Sequence, residues 1–168
     1  MGRVVPVDFP VTHHVMAGTC TDMAVVERVI DASPERVWAV LADGWTYSDW
    51  VVGTSHIRDV DRSWPAPGAH LYHKAGPWPL SLRDKTVVVH SDAPRELVVR
   101  PHLWPLGEAI VTMKLTEVAP DRTKVTIGED FTAGPARWVR TKLNDLILHR
   151  RNVESLRRLS DVATRQAP

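Results

Sequence analysis

Residues 135–165, PARWVRTKLNDLILHRRNVESLRRLSDVATR, decide the fold. Gly134-Pro135 sets a turn residue and then a proline where a missing N–H is harmless, and no Gly or Pro follows before Pro168. The stretch reads as one helix of roughly eight turns. At about 100° per residue, Val139, Leu143, Leu146, Val153 and Leu156 fall on one stripe, with Trp138 and Ile147 on its shoulders. The expectation is that this stripe is buried, with Leu146 at the sheet–helix interface. His149 and Arg150 lie close to its centre line, where a simple packing face would carry Leu or Ala. Two readings are open. Arg150 lays its stem along the apolar surface and keeps its guanidinium in water, or the helix faces a cavity whose contents His149 and Arg150 touch.

Working outward, Arg122 to Thr132 and Glu108 to Val118 are alternating segments joined across Ala119-Pro-Asp121, a hairpin signal. Ala109, Val111, Met113 and Leu115 share one face of the first; Val125, Ile127 and Phe131 share one face of the second. The position in phase between Ile127 and Phe131 is Glu129, so a carboxylate is expected to point inward with the apolar residues. A lone buried carboxylate is too costly to leave unbalanced, and Arg150, His149 or another donor should face it. Asp130 is out of phase, so the two adjacent acids do not form a paired-carboxylate site.

Further upstream, short alternating segments over Thr54–Val60, Ala69–Lys74, Leu80–His90 and Arg95–Arg100 are separated by Pro- and Gly-bearing turns. They imply an antiparallel meander. Met23–Asp31 alternates as a first strand, and Ser33-Pro34-Glu35 supplies cap, proline and acid for a helix containing Val37, Trp38, Val40 and Leu41. Gly44 ends it, and Trp45 to Trp50 is a short aromatic helix. The sum is an α+β fold: a seven-stranded antiparallel sheet wrapped around a long C-terminal helix, with two short helices after the first strand. Residues 1–22 show no sustained period and read as an N-terminal extension to a single domain over 23–168.

Bulk properties narrow the function. With 168 residues and 43% hydrophobic content, one domain with a sizeable core is expected. A net charge of +1 gives no electrostatic case for nucleic acid. One cysteine, Cys20, permits no internal disulfide and no cysteine zinc cluster, which points to a cytoplasmic protein. No apolar run reaches the ~20 residues of a membrane span. His13-His14 and His70/His73 lack metal-ligand spacing, and no metal or other cofactor is expected. Phosphate-loop, zinc-protease and nucleophile-elbow motifs are missing from the sequence. Seven Trp stand against two Phe and two Tyr, an unusual ratio that suits a ligand-facing wall as well as a core.

The residues Val29-Ile-Asp-Ala-Ser-Pro-Glu-Arg-Val-Trp-Ala-Val-Leu41, the aromatics Trp45 and Trp50, Gly76-Pro-Trp-Pro79, Thr123-Lys-Val-Thr126 and Arg151-Asn-Val-Glu-Ser-Leu-Arg-Arg-Leu159 resemble the START-related helix-grip (SRPBCC) superfamily, and within it the polyketide cyclase/dehydrase-like branch. The resemblance covers about 23–163. It implies a deep apolar cavity between sheet and long helix that holds lipids, polyketides or similar molecules, and it implies no single activity.

The expected ligand-binding residues are Trp45, Trp50, Trp78, Trp104, Met113, Ile127, Glu129, Phe131, Leu146 and Arg150, with Glu129 and His149 the candidates for acid or base. Three functions are open. The chain is a carrier or sensor of a small hydrophobic ligand, an enzyme of the cyclase, aromatase or dehydratase type, or an interaction module without ligand. A monomer or homodimer fits each.

Overall fold

A computed structural model describes residues 24–75, 82–103, 107–133 and 142–165. The strands are β1 (Ala24–Ile30), β2 (Thr54–Val60), β3 (His70–Ala75), β4 (Leu82–Asp92), β5 (Glu96–Leu103), β6 (Gly107–Ala119) and β7 (Arg122–Ala133). The helices are α1 (Pro34–Ala42), α2 (Tyr47–Trp50) and α3 (Lys142–Arg165), with a 3-10 turn over Gly44–Thr46 between the first two. One antiparallel sheet runs β1-β7-β6-β5-β4-β3-β2, so the meander closes by returning β7 beside β1. This is the seven-stranded helix-grip arrangement expected from the sequence. The extension over 1–22, Trp78, Trp104 and the first turns expected from Pro135 lie outside the described residues.

Local chemistry explains the elements. Ser33 Oγ accepts from the Arg36 N–H at 3.4 Å and Pro34 occupies the first helical position, so α1 starts where an extended strand must stop. Pro120 and Asp121 make the β6–β7 turn, and Asp121 takes a left-handed φ of 54°, a conformation a short polar side chain tolerates. Gly44 is needed for closeness: a Cβ there would meet Val60 Cγ1 at 2.7 Å. That contact lets the turn between the helices sit directly on β2.

The core lies between the concave face of the sheet and the helices. Val26 and Ile30 of β1, Leu71, Val88, Leu97, Val99, Met113, Leu115, Val125 and Ile127 point inward, and Val37, Val40, Leu41, Leu156, Leu159 and Ala163 meet them. Polar contacts lock the layers. Arg36 Nη2 donates to the Ala163 carbonyl at 3.1 Å near the C-terminal end of α3, and the Val52 N–H donates to Ser155 Oγ at 3.1 Å.

The buried face of α3 departs from the expected stripe. Asn152, Ser155, Leu156, Leu159 and Ala163 face the core, while Leu146 is 46% exposed, Val153 44% and Ile147 56%. His149 and Arg150 are exposed as well. Leu146 is therefore not at the sheet–helix interface, and neither His149 nor Arg150 is on its centre line. The true face is rotated by roughly one residue, about 100°. Polarity misled the reading, because Asn152 and Ser155 are inward-facing polar residues with buried partners and count against burial in any apolar pattern.

Candidate ligand cavity

The inward faces of β3, β5, β6 and β7, with α2 and α3, enclose a cavity lined by Tyr47, Trp50, Val99, Met113, Ile127 and Ser155, among others. Its volume, taken as room for water centres, is about 90 Å³. That is space for on the order of six waters, or a compact molecule of one or two rings. The walls follow from strand alternation: Val111, Met113 and Ile127 lie on the same face as the buried Ala109, Leu115 and Val125.

One polar pole sits where β7 meets α3. Glu129 is placed by alternation between Ile127 and Phe131, and its side chain is 0% exposed. Its Oε2 accepts from Arg151 Nη2 at 2.5 Å and from Asn152 Nδ2 at 3.1 Å. Glu129 Oε1 and Arg151 Nε are buried without hydrogen-bond partners. The carboxylate is balanced by Arg151, one residue beyond the expected Arg150, and the shift follows from the rotated face of α3. Arg151 and Asn152 both line the cavity, so the ion pair forms part of its wall.

A second polar group lies on the β3–β4 side. His73 is 3% exposed and faces inward on β3, paired across the sheet with Asp84. Its Nε2 is 3.1 Å from Thr86 Oγ1, a buried group on β4, and its Nδ1 has no hydrogen-bond partner. Burial pushes the imidazole down to about 4, with the Lys74 backbone opposing. The Tyr47 ring lies 6.0 Å from His73. Burial pushes the Tyr47 hydroxyl up; the Thr86 side chain and the Arg151 charge oppose, and Glu129 and Asp84 add to the rise. Both groups are thus held neutral near pH 7. Trp50 Nε1 is a further buried donor without a partner.

Of the residues singled out from sequence, Trp50, Met113 and Ile127 line the cavity, and Glu129 stands behind Arg151. Phe131 is partly exposed and is not among the lining residues. Trp45 is 57% exposed, because it sits in the 3-10 turn on the opposite side from the buried Tyr47 and Trp50. Leu146, His149 and Arg150 are on the outside of α3. Sequence reading missed Tyr47, His73, Thr86, Arg151, Asn152 and Ser155. Phase pairs Leu71 with His73 and His70 with Tyr72 on opposite faces of β3, but does not say which pair faces inward; in the structure Leu71 and His73 are buried, and His70 and Tyr72 stack at 5.9 Å on the other face. Among the described residues, no group of three or more His, Cys, Asp or Glu could hold a metal ion, and no helix is long and apolar enough to cross a membrane.

Solved structures share this architecture. A protein from Arthrobacter aurescens superposes with a TM-score of 0.67 at 19% identity, over 85% of this chain and 86% of that one. Ara h 8.0201 gives 0.66 at 14% identity, over 84% and 97%. Protein MLL2253 from Mesorhizobium loti gives 0.64 at 17% identity, over 87% and 99%. At these identities the likeness is one of fold. Comparison with curated proteins finds no match. The family described as polyketide cyclase / dehydrase and lipid transport matches residues 23–164. With that span covering the sheet, the three helices and the cavity between them, the chain belongs to the polyketide cyclase/dehydrase and lipid transport family.

Proposed function

We propose that this chain binds a small hydrophobic molecule in the cavity between sheet and α3, and acts as a carrier or sensor of it. The observation that carries the reading is the pairing of an apolar wall, built by Val99, Val111, Met113 and Ile127, with buried polar atoms that have no protein partner. An apolar wall rewards transfer of a ligand from water, and unpartnered polar atoms fix how the ligand sits. The family's description, which includes lipid transport, supports the same reading. A carrier is favoured over an enzyme because Glu129 Oε2 is already engaged by Arg151 and Asn152, and His149 is exposed on α3.

Native mass spectrometry of freshly purified protein, followed by organic extraction, tests this. A retained apolar molecule, or micromolar binding of an apolar fluorescent probe, about −8 kcal/mol, is the expected result. A chain that carries nothing and binds no probe refutes the reading in favour of an interaction module. Glu129→Gln separates two roles for the ion pair. Affinity falls by about 1–3 kcal/mol if the pair orients ligand, and only stability changes if it joins β7 to α3.

A further inference from the structure

We propose that the turn over residues 51–54, which joins α2 to β2, is the door of the cavity, and that the hydrogen bond from the Val52 N–H to Ser155 Oγ is its latch. This rests on the reading of the cavity as a ligand site and adds how a molecule enters and leaves it.

Exposure locates the mouth. Deep in the cavity the walls are shut off from water, and Tyr47, Trp50, Met113 and Ile127 are all buried. The lining residues that reach solvent include the whole turn, residues 51–54, with Ala75 at the end of β3 and Arg151 on α3. A Cβ placed on Gly53 would meet nothing within 4 Å, so that side of the turn is open. Thr54 pairs with Ala75, and the Val52 N–H reaches Ser155 on α3. The turn therefore bridges the gap between the β2 edge of the sheet and the long helix.

The turn is hinged at one end and lightly held at the other. Tyr47 and Trp50 are buried and meet edge to face with ring centroids 5.3 Å apart, which anchors α2. Beyond the turn, β2 is an edge strand whose pairing with β3 is irregular between Thr54 and His56. Within the turn the Thr54 N–H donates to the Val51 carbonyl at 3.3 Å, and Gly53 takes the φ of 98° that the third residue of a type II turn requires. That bond travels with the turn and does not hold it down. Among the described residues, one hydrogen bond ties residues 51–53 to α3, from the Val52 N–H to Ser155 Oγ at 3.1 Å. Opening exchanges it for bonds to water, so the latch is worth only its net value and the opening is a local one, separate from global unfolding.

Two variants cut the latch from opposite sides. Ser155→Ala removes the acceptor. Val52→Pro removes the donor and keeps the turn, because Val51 is already extended at ψ 110°, as a residue before proline must be, and the second position of a type II turn favours proline. Opening is read on the full chain near pH 7 through a thiol set in the wall, Met113→Cys, on a Cys20→Ser background that leaves it the only cysteine. Methyl methanethiosulfonate labels it, and mass spectrometry follows the rate. Each latch variant should label about fivefold faster than its parent, the scale of one net hydrogen bond, and the double variant no faster than either. Leu159→Ala weakens the core without touching the latch and should stay within about twofold of the parent. In stopped flow with 2-naphthol, a fluorescent two-ring probe, S155A and V52P should raise the association and dissociation rates together. The proposal is overturned if neither variant labels faster, if their effects multiply, if L159A accelerates labelling more than they do, or if only dissociation rises, as a lost contact would give. Should Met113→Cys not fold, Val99→Cys in the same wall carries the measurement. Faster labelling with no binding of 2-naphthol supports the door and removes the ligand reading, whereas binding with unchanged rates removes the door and leaves the ligand reading.

Discussion

Arg151→Met is the most informative single change, because it tests whether a buried charge is held by one residue. Glu129 has a side chain with 0% exposure, and Arg151 Nη2 reaches its Oε2 at 2.5 Å. Removing one partner of a buried pair usually costs about 3–5 kcal/mol, since the other charge is left in a medium that solvates it poorly. Two features place this pair at the lower end. Asn152 Nδ2 still donates to Oε2 at 3.1 Å, and the Arg151 side chain is 28% exposed, so part of its charge already sees water. A loss of about 3 kcal/mol is expected. Glu129→Gln should cost about 1–2 kcal/mol, because a neutral amide keeps the shape and Arg151 can turn its head to solvent. The double variant should cost less than the sum by about 2 kcal/mol, the coupling of two groups in direct contact. Urea unfolding near pH 7, followed by Trp fluorescence, reads all four proteins. The reasoning fails if R151M lies within about half a kcal/mol of wild type, the range of an exposed position, or if the two changes add.

How far the sequence could be read is set by the kind of signal each element leaves. β6 and β7 were legible down to single residues, because a half-buried strand writes its inner face at a period of two. Ala109, Met113, Leu115, Val125 and Ile127 are all buried, and Glu129 follows their phase. The long helix was legible as a helix but not in its rotation. Its inner face carries Asn152 and Ser155, which are buried at 4% each because Glu129 and the Val52 N–H satisfy them, and its outer face carries Leu146, Ile147 and Val153. A periodicity argument scores polarity, whereas burial is decided by whether a partner exists in space. Arg151 therefore went unseen beside Arg150. The buried His73 was hidden for a related reason. Tyr47, His73 and Thr86 come from α2, β3 and β4, and only the β3–β4 register brings the last two together.

Leu159→Ala, at 0% exposure, should lower unfolding free energy by about 2–5 kcal/mol in urea titration, while Leu146→Ala should stay near half a kcal/mol; the reverse order would mean α3 is rotated differently. Gly44→Ala sets a Cβ 2.7 Å from the stiff Val60 side chain and should lose about 1–3 kcal/mol by the same assay; no loss would show that the turn does not press on β2. The pH dependence follows from His73. Its folded-state value lies near 4 against 6.5 for a free side chain, so between these limits the unfolded chain binds the proton that the folded chain refuses. Unfolding free energy should therefore be full above about pH 6.5 and fall as the pH drops toward 4, by up to about 3 kcal/mol from this residue. The groups facing the ring are Tyr47 from α2, with Asp84 and Thr86 from β4. The carboxylates of the chain also titrate in the lower part of the window, so the measurement is a difference. His73→Phe has no proton to refuse, and its stability should fall less than wild type between pH 6.5 and 5, where a free histidine gains its charge and most carboxylates have not yet lost theirs. Parallel curves for the two proteins over that interval would show that His73 is charged as readily in the fold as in the unfolded chain.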